Sequence, residues 1–288
     1  DLSRENLIKI SKKAVEKLKG EVSDKVLNLD KRTSPNRHHY DIFPSNVDLE
    51  RKVNLMKRAY KAAINYDQEI AQASIKYLDQ EQNVLIANTD GVFVKDQRVR
   101  TRLLINVTAE YQGQMESGYV GPGALKGIEY YDEINIEEYA KQAASTAKTM
   151  VHAEYSPVGN MPVVIDNGFG GLMFHEACGH SLEASSVAKG LSIFSNKKGE
   201  KVASDLVTLV DDGSITNEWG SAGIDDEGQK TQKNVLIENG ILKNYLIDKL
   251  NGRRMGEKPT ASGRRSSYRF APTSRMSNTY IDNGTCSK

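Results

Sequence analysis

The chain has 288 residues, which is enough for one large domain or two ordinary ones. Its 39 Lys and Arg residues nearly balance 38 Asp and Glu residues, so the charge distribution favours neither nucleic acid nor an anionic membrane as a partner. The sequence contains no run of about 18 apolar residues and no secretory signal pattern, so we expect no transmembrane helix. Two cysteines cannot form a disulfide framework, which favours a cytoplasmic protein.

The chain begins with two predicted helices. Apolar residues recur at helical spacing in residues 3–19 and again in residues 48–67. Ser3 is a suitable N-cap for the first helix, and Gly20 stands where that helix is expected to stop. The polar stretch 21–44 between the two helices lacks periodicity and predicts a connector.

The pattern then changes to one typical of strands. Apolar and polar residues alternate from residue 71, and we expect short antiparallel strands on both sides of the Asp90–Gly91 turn, followed by a longer strand at 99–111. Residues 116–128 contain four glycines and predict a mobile loop. Asn135 and Glu138 have the spacing of a capping box, so a third helix is expected to begin after Asn135.

A second group of elements follows Pro157. Residues 161–165 predict a short strand, and further strands are expected at 206–210 and in a hairpin at 235–246 with an Asn-Gly turn. The fold class is therefore α+β, with antiparallel sheets and packed helices in two halves. We expect these halves to be residues 1–156 and residues 157–288.

A cluster of chemically active side chains lies in the second half. Residues 174–184 read FHEACGHSLEA and place two of the five histidines of the chain beside a glutamate and a cysteine. Imidazole nitrogens and carboxylate oxygens are ligand types that hold zinc. His175 and His180 are therefore candidate metal ligands, and Glu176 is a candidate general base.

The spacing of the two histidines requires an irregular helix. Five residues of a regular α-helix place two side chains roughly 140° apart, which is too far for one ion. A single π-type turn reduces this angle to about 50°, and such turns are frequent at functional sites. Gly179 stands just before His180 and tolerates such a distortion. We therefore predict a π turn between His175 and His180.

Several alternatives stay open at this point. Glu183 is either a third ligand or an acceptor that orients an imidazole. The glycine-rich stretch 167–171 could instead cradle a phosphate, and the histidines could be purely structural. Asp225 to Glu227 favour a solvated turn over a metal or amine site. The arginines near the C-terminus could bind a peptide carboxylate or serve a subunit contact or structural ion pairs; they are Arg264, Arg265, Arg269 and Arg275.

The blocks GGLMFHEACGHSLEA, FSNKKGEKVASDLVTLVDDGS, NVLIENGILKNYLIDKLN and PTSRMSNTYI closely resemble the TldD branch of the TldD/PmbA family of metalloproteases. The resemblance is dense over residues 161–281. It implies a zinc-dependent peptidase with His175 and His180 as Zn²⁺ ligands and Glu176 as the catalytic carboxylate. It also implies small or unfolded peptides as substrates, a role in peptide maturation, and a TldE-like partner subunit or a second copy of the chain.

The third zinc ligand implied by the resemblance is a cysteine in a Gly-x-Cys-Gly-Lys segment well beyond the Asn-Thr-Tyr motif that ends at Tyr280. Cys286 comes too early for that role, and we interpret it as a loop cysteine, with Glu183 as the other candidate within the chain. We expect a fragment that lacks segments of its relatives at both ends and that could therefore be inactive by itself. The alternative functions are a non-catalytic peptide-binding scaffold and a metal-free subunit of a TldD/TldE-like complex.

Overall fold

The computed structural model describes residues 2–17, 28–34 and 38–284, so the predicted stop at Gly20 and the candidate ligand Cys286 lie outside the described residues. Helix α1 spans Arg4–Glu16, as the sequence predicts. Ser3 caps α1 by accepting a hydrogen bond from the backbone N–H of Asn6. The side chains of α1 are not buried against the described part of the chain.

The centre of the first half is a hairpin of two long antiparallel strands. Strand β2 spans Ile70–Ala87 and strand β3 spans Val92–Tyr111, and they pair from Ile70 to Ala87 with one bulge near residue 71. The predicted turn at Asp90–Gly91 is confirmed, and Gly91 adopts φ +80° there. The predicted division into shorter strands is wrong, because continuous pairing carries each strand past the polar positions that seemed to interrupt it.

Three short strands complete this sheet along the other edge of β3. Strand β1, Asp30–Thr33, pairs parallel to β3 and lies within the stretch predicted as a connector. Strands β4, Gln114–Val120, and β5, Gly123–Ala124, pair antiparallel to β3, so the predicted mobile loop is wrong. Gly118 serves close packing, since a Cβ there would lie 2.0 Å from a backbone oxygen of the overlying helix.

Helices cover one face of the sheet. Helix α2 spans Leu49–Ile64, the short α3 spans Tyr130–Glu133, and α4 spans Ile136–Val151 with the predicted Asn135 cap. The face of α4 that meets the sheet is built mainly from alanines, which permit a close approach of helix and strand. The first hydrophobic core lies in this layer and includes Leu55, Ala59, Leu103, Ile105, Val107, Ala140, Ala143, Ala144 and Ala147.

The second half contains shorter elements around a second core. Helices α5, Gly171–Phe174, and α6, Ala184–Val187, flank the HEACGH segment, and α7 spans Lys249–Met255. A four-stranded antiparallel sheet has the order β11-β6-β7-β8, and β9 pairs with β10. The strands are β6 Leu209–Asp212, β7 Lys233–Glu238, β8 Ile241–Leu242, β9 Gly263–Arg264, β10 Thr273–Ser274 and β11 Thr279–Ile281.

Two strand predictions have opposite outcomes in this half. The predicted hairpin is confirmed as β7 and β8, with Asn239 at φ 48° and Gly240 at φ 79° in the turn. The strand predicted at 161–165 is wrong: these residues pair with no strand among those described, and all five are exposed. The α+β fold class is confirmed, whereas the boundary at residue 156 stays a prediction.

The second core positions the segment that carries the histidines. Its buried side chains come from the end of that segment, from β6 to β8, from the chain before α7 and from the residues between β10 and β11, and include Leu182, Leu209, Leu236, Leu242, Leu246 and Met276. Leu182 is bonded to the residues before α7, since its carbonyl accepts from the backbone N–H of Leu246. Over the described residues, none of the helices is both long and apolar enough to cross a bilayer.

Candidate metal centre

The HEACGH segment is an irregular helical run. A 3₁₀ turn at Gly168–Gly170 leads into α5, a π turn spans His175–Gly179, and a second 3₁₀ turn spans His180–Leu182. The backbone N–H of His180 donates to the carbonyl of His175, which closes the π turn. The predicted π turn is therefore confirmed at the predicted residues.

The π turn brings the two imidazole rings together. The ring centroids of His175 and His180 lie 4.9 Å apart with an interplanar angle of 89°. One ligand atom from each of His175, Glu176 and His180 lies within 4.8 Å of the others. Two imidazole nitrogens and a carboxylate oxygen that lie this close together are a donor set whose chemistry fits a metal ion.

Gly179 allows the segment to lie against the second core. The residue is buried, and a Cβ at this position would lie 2.2 Å from Sδ of Met276, a buried side chain of that core. Gly179 has φ −56° and ψ −54°, which any residue can adopt. The glycine is therefore needed for space rather than for backbone freedom.

Glu183 contacts the ring of His180 at the nitrogen opposite the one that faces Glu176. Oε1 of Glu183 lies 3.1 Å from Nδ1 of His180, whereas Oε2 of Glu176 lies 3.8 Å from Nε2. The Glu183 side chain is only 8% exposed, and its Oε1 also lies 3.5 Å from Nη1 of Arg275. The contact with Nδ1 favours the tautomer that leaves Nε2 free to bind a metal.

The other candidate residues take structural positions. Cys178 is half-buried against the second core, and burial raises the pKa of its thiol. Asp225 is 3% exposed, and its carboxylate accepts from the backbone N–H groups of Glu227, Gln229 and Gly263. Burial raises the pKa of Asp225 to about 6 despite these bonds. The prediction of a solvated turn at this position is therefore wrong.

The arginines predicted near the C-terminus separate into two groups. Arg264, Arg265 and Arg275 line a cavity that also contains His175 and His180, whereas the exposed Arg269 stacks over the ring of Tyr268. The sequence reasoning missed two more arginines, at positions 98 and 100, which approach the same region from β3. Their spacing of two on a strand, on the face opposite Val99, was the signal available.

Two family models match the chain, and both describe metallopeptidases. The PmbA/TldA metallopeptidase central domain matches residues 43–151, and the PmbA/TldA metallopeptidase C-terminal domain matches residues 158–288. A metallopeptidase is also the class of protein that fits this fold and this His-Glu-His cluster. The chain belongs to the PmbA/TldD family, so the resemblance predicted from the sequence is confirmed.

Curated relatives of the chain have names of the same kind. A metalloprotease TldD homolog of Buchnera aphidicola subsp. Acyrthosiphon pisum is 41% identical over 81% of this chain and 50% of the relative. The TldD homolog of Haemophilus influenzae is 41% identical over 82% of this chain and 50% of the relative. A metalloprotease of Methanocaldococcus jannaschii is 34% identical, and 84% of this chain and 53% of the relative align. The chain thus spans about half the length of these relatives.

Solved structures with low sequence identity share the fold. A Thermotoga maritima protein, described as a candidate modulator of a DNA gyrase, superposes with a TM-score of 0.80 at 24% identity, covering 96% of this chain and 61% of its own. TldE from Thermococcus kodakarensis superposes with a TM-score of 0.67 at 19% identity. This superposition covers 98% of the present chain and 62% of TldE. The PmbA/TldD architecture therefore extends over nearly the whole chain.

Proposed function

We propose that this chain carries the metal centre of a zinc-dependent peptidase that hydrolyses small or unfolded peptides. The observation that carries the proposal is the π turn, which brings potential ligand atoms of His175, Glu176 and His180 within 4.8 Å of one another. The metalloprotease names of relatives at 41% identity support the same reaction class.

His175 and His180 would hold the zinc ion through one imidazole nitrogen each. When bound, the ion supplies Lewis-acid chemistry: it polarises the peptide carbonyl and makes water more acidic. Glu183 holds the His180 ring in place through Nδ1. Because the Glu183 carboxylate is bound there, it does not face the metal side of the cluster. We therefore assign Glu183 a positioning role, and a further ligand would come from outside the described residues, where Cys286 also lies.

Glu176 is the proposed general base. Its side chain is 62% exposed, so both a water molecule and a peptide can reach it. One carboxylate oxygen accepts the proton of the water that attacks the scissile carbonyl and then delivers it to the departing amine. The short distance from Glu176 to Nε2 of His180 keeps this transfer beside the ligand cluster.

The remaining parts of the proposal concern the surroundings of the site. We propose a cytoplasmic setting, a function in peptide maturation and an assembly with a TldE-like subunit or a second copy of the chain. The likeness to TldE supports a partner of the same fold. We also propose that residues 1–156 and 157–288 are separate α+β halves, because the two main cores fall on either side of that boundary.

A zinc titration in metal-buffered solution tests this function when it is combined with a peptide cleavage assay on the full chain. We expect one zinc ion per chain, zinc-dependent cleavage of unstructured peptides, and loss of both in His180→Ala. In Glu183→Gln, zinc affinity should fall by about 10- to 100-fold, since an orienting partner is weakened. Equal zinc affinity in wild type and His180→Ala would overturn the metal centre. Peptide binding without cleavage by the zinc-loaded protein would instead favour a scaffold.

A further inference from the structure

A second cavity lies between strand β3 and the second half of the chain. Its volume is about 390 Å³, and its walls are predominantly polar. Arginines approach it from both sides, two from β3 and three from the segment around β9 and β10. The five arginines are Arg98, Arg100, Arg264, Arg265 and Arg275.

The carboxylates that line this cavity already have other partners. Oδ1 of Asp226 lies 2.9 Å from Nη1 of Arg98, so these two residues neutralise each other. Asp211 accepts from the backbone N–H and the hydroxyl of Ser277. Asp225 is saturated by backbone N–H groups. Among the described residues, none of these three carboxylates forms an ion pair with Arg100, Arg264 or Arg265, and Arg275 is paired instead with Glu183.

Arg100 and Arg264 show this imbalance most clearly. Arg100 donates to the carbonyl oxygens of Trp219 and Ser221 at 3.2 and 3.0 Å, and Arg264 donates to the carbonyl of Met276 at 2.6 Å. Among the described residues, no carboxylate oxygen lies within 4.0 Å of either guanidinium. Both side chains therefore present cations that are hydrogen-bonded only to neutral groups.

Burial makes these cations costly. Burial, followed by the nearby charges of Arg98 and Arg264, lowers the pKa of Arg100 to about 10. Burial also lowers the pKa of Arg264. Both groups nevertheless remain protonated at neutral pH. Because a desolvated guanidinium group without a directly paired carboxylate is unfavourable, an anion that enters the cavity and pairs with it is favoured.

The arginine cavity adjoins the metal centre. The cavity that contains His175 and His180 has a volume of about 520 Å³. The two cavities share lining residues at the boundary between them, and these residues are Arg264, Arg265, Ser266 and Arg275. A peptide whose scissile bond lies at the histidine cluster can therefore extend into the arginine cavity.

We propose that the arginine cavity binds a carboxylate of the peptide substrate, so that the site selects peptides with a carboxylate a short distance from the scissile bond. The planar guanidinium groups match a carboxylate bidentately, and an extended chain brings it there from the histidine cluster. This inference rests on the proposed peptidase function. It adds a substrate class: short peptides with a free C-terminus, or with an acidic side chain at the equivalent position.

The experiment compares one short, unstructured, fluorescently labelled peptide in two forms, the free acid and the C-terminal amide. Binding to the full chain is measured by fluorescence anisotropy without zinc, and cleavage is measured with zinc. The variants are Arg100→Gln and Arg265→Gln. The guanidinium of Arg265 makes no hydrogen bond or ion pair to any described residue, so its removal is not expected to affect folding. The exposed Arg269 supplies the matched control Arg269→Gln.

We expect the free acid to bind at least about tenfold more tightly than the amide, as a charge-assisted hydrogen bond requires. This preference should decrease in Arg100→Gln and Arg265→Gln and persist in Arg269→Gln. Equal affinity of the two forms for the wild type overturns the inference, as does a preference that both variants retain. If Arg100→Gln does not fold, as judged by thermal unfolding, the result for Arg265→Gln decides alone.

Two further outcomes identify the source of the carboxylate and separate the inference from the proposed function. An amidated peptide that ends in aspartate will bind like the free acid if a side-chain carboxylate is accepted, and like the amide if the α-carboxylate is required. Both results support a carboxylate site. An acid preference in binding without any zinc-dependent cleavage would contradict the peptidase function alone. Cleavage without an acid preference would contradict the carboxylate site alone.

Discussion

The β2–β3 hairpin and the HEACGH segment use the backbone in opposite ways. The hairpin repeats one conformation through strands of 18 and 20 residues. The segment from Gly168 to Val187 changes from 3₁₀ to α, π, 3₁₀ and again α-helical geometry. The hairpin distributes its stability over many equivalent hydrogen bonds, whereas the helical segment brings three particular side chains together.

The irregular segment depends on neighbours that the hairpin does not need. Leu182 and Gly179 are buried against the second core, and Glu183 is held between His180 and Arg275. A π turn is a rare and unfavourable form of helix, so tertiary contacts must stabilise it. The difference teaches that the candidate site depends on an irregular segment that packs on the second core, whereas the β2–β3 hairpin is regular along its length.

The largest expected effect is the loss of cleavage in Glu176→Gln. The amide cannot accept a proton from water, so the rate of peptide hydrolysis should fall by about 10² to 10⁴-fold. Zinc affinity and peptide affinity should remain close to wild type, which a zinc titration and fluorescence anisotropy would measure. Glu238→Gln, an exposed carboxylate on β7, is the control. A large loss of zinc affinity in Glu176→Gln would make Glu176 a ligand instead of a base.

In the sheet region, Gly118→Ala should mainly affect stability. A Cβ at position 118 would lie 2.0 Å from the carbonyl oxygen of Ala143 and 2.7 Å from the backbone nitrogen of Ala147. Backbone atoms cannot move aside, so we expect a loss of about 3 kcal/mol in the free energy of unfolding. Urea denaturation measures this loss, with the exposed Ser117→Ala as control. An unchanged denaturation midpoint would show that α4 and β4 are not in close contact.

The two regions should also respond oppositely to pH. The pKa of Asp225 is raised from 3.8 to about 6, so the folded state binds more protons than the unfolded state between these values. Stability from this group therefore falls by up to about 3 kcal/mol as pH rises from about 4 to about 6. In the first half of the chain, a hydrogen bond from Lys148 lowers the pKa of Asp67, and hydrogen bonds from Arg58 lower the pKa of Glu137. The contribution of these two carboxylates to stability is therefore lost as the pH falls below about 4.

Urea unfolding from below pH 4 up to about pH 6 measures both effects. Asp225→Asn should remove the decrease between pH 4 and pH 6, whatever its effect on absolute stability, because the amide does not titrate. Asp205→Asn, a strongly exposed carboxylate, serves as the control. If Asp225→Asn showed a decrease in stability of the same size, that decrease would come from other titrating groups.

The sequence predicts elements well where local signals decide them. The caps at Ser3 and Asn135 and the turns at Asp90–Gly91 and Asn239–Gly240 are all found as expected. Predictions fail where distant contacts decide the structure. The glycines of 116–128 indicate flexibility locally, yet α4 lies over Gly118 and requires its small size.

The same distinction applies to the candidate site. The five-residue spacing of His175 and His180 predicts the π turn, because geometry within one segment suffices for that inference. The position of Glu183 was open from sequence alone, because either role is compatible with a spacing of three residues. Arg98 and Arg100 could not be assigned to the neighbourhood of Arg264, since only the fold brings β3 against the second half of the chain.

The smallest expected effect concerns Gly171 and Gly179, two glycines within the irregular segment. At Gly171 a Cβ meets no atom within 4 Å, whereas at Gly179 it would lie 2.2 Å from Sδ of Met276. Because alanine favours helical backbone over glycine by roughly 1 kcal/mol, Gly171→Ala should stabilise the protein by up to that amount. At Gly179 the flexible Met276 side chain can move, so the same preference offsets part of the steric cost, and a net loss of about 1 kcal/mol remains.

The Gly179→Ala substitution should also reduce zinc affinity several-fold, since displacement from the core shifts the turn that holds both histidines. Thermal unfolding and zinc titration of the two variants measure this difference. If Gly179→Ala stabilised the protein as Gly171→Ala does and left zinc binding intact, close packing of the π turn on the core would not be needed. The irregular segment would then keep its geometry without close packing on the core. It would differ from the hairpin in shape and not in its dependence on neighbouring residues.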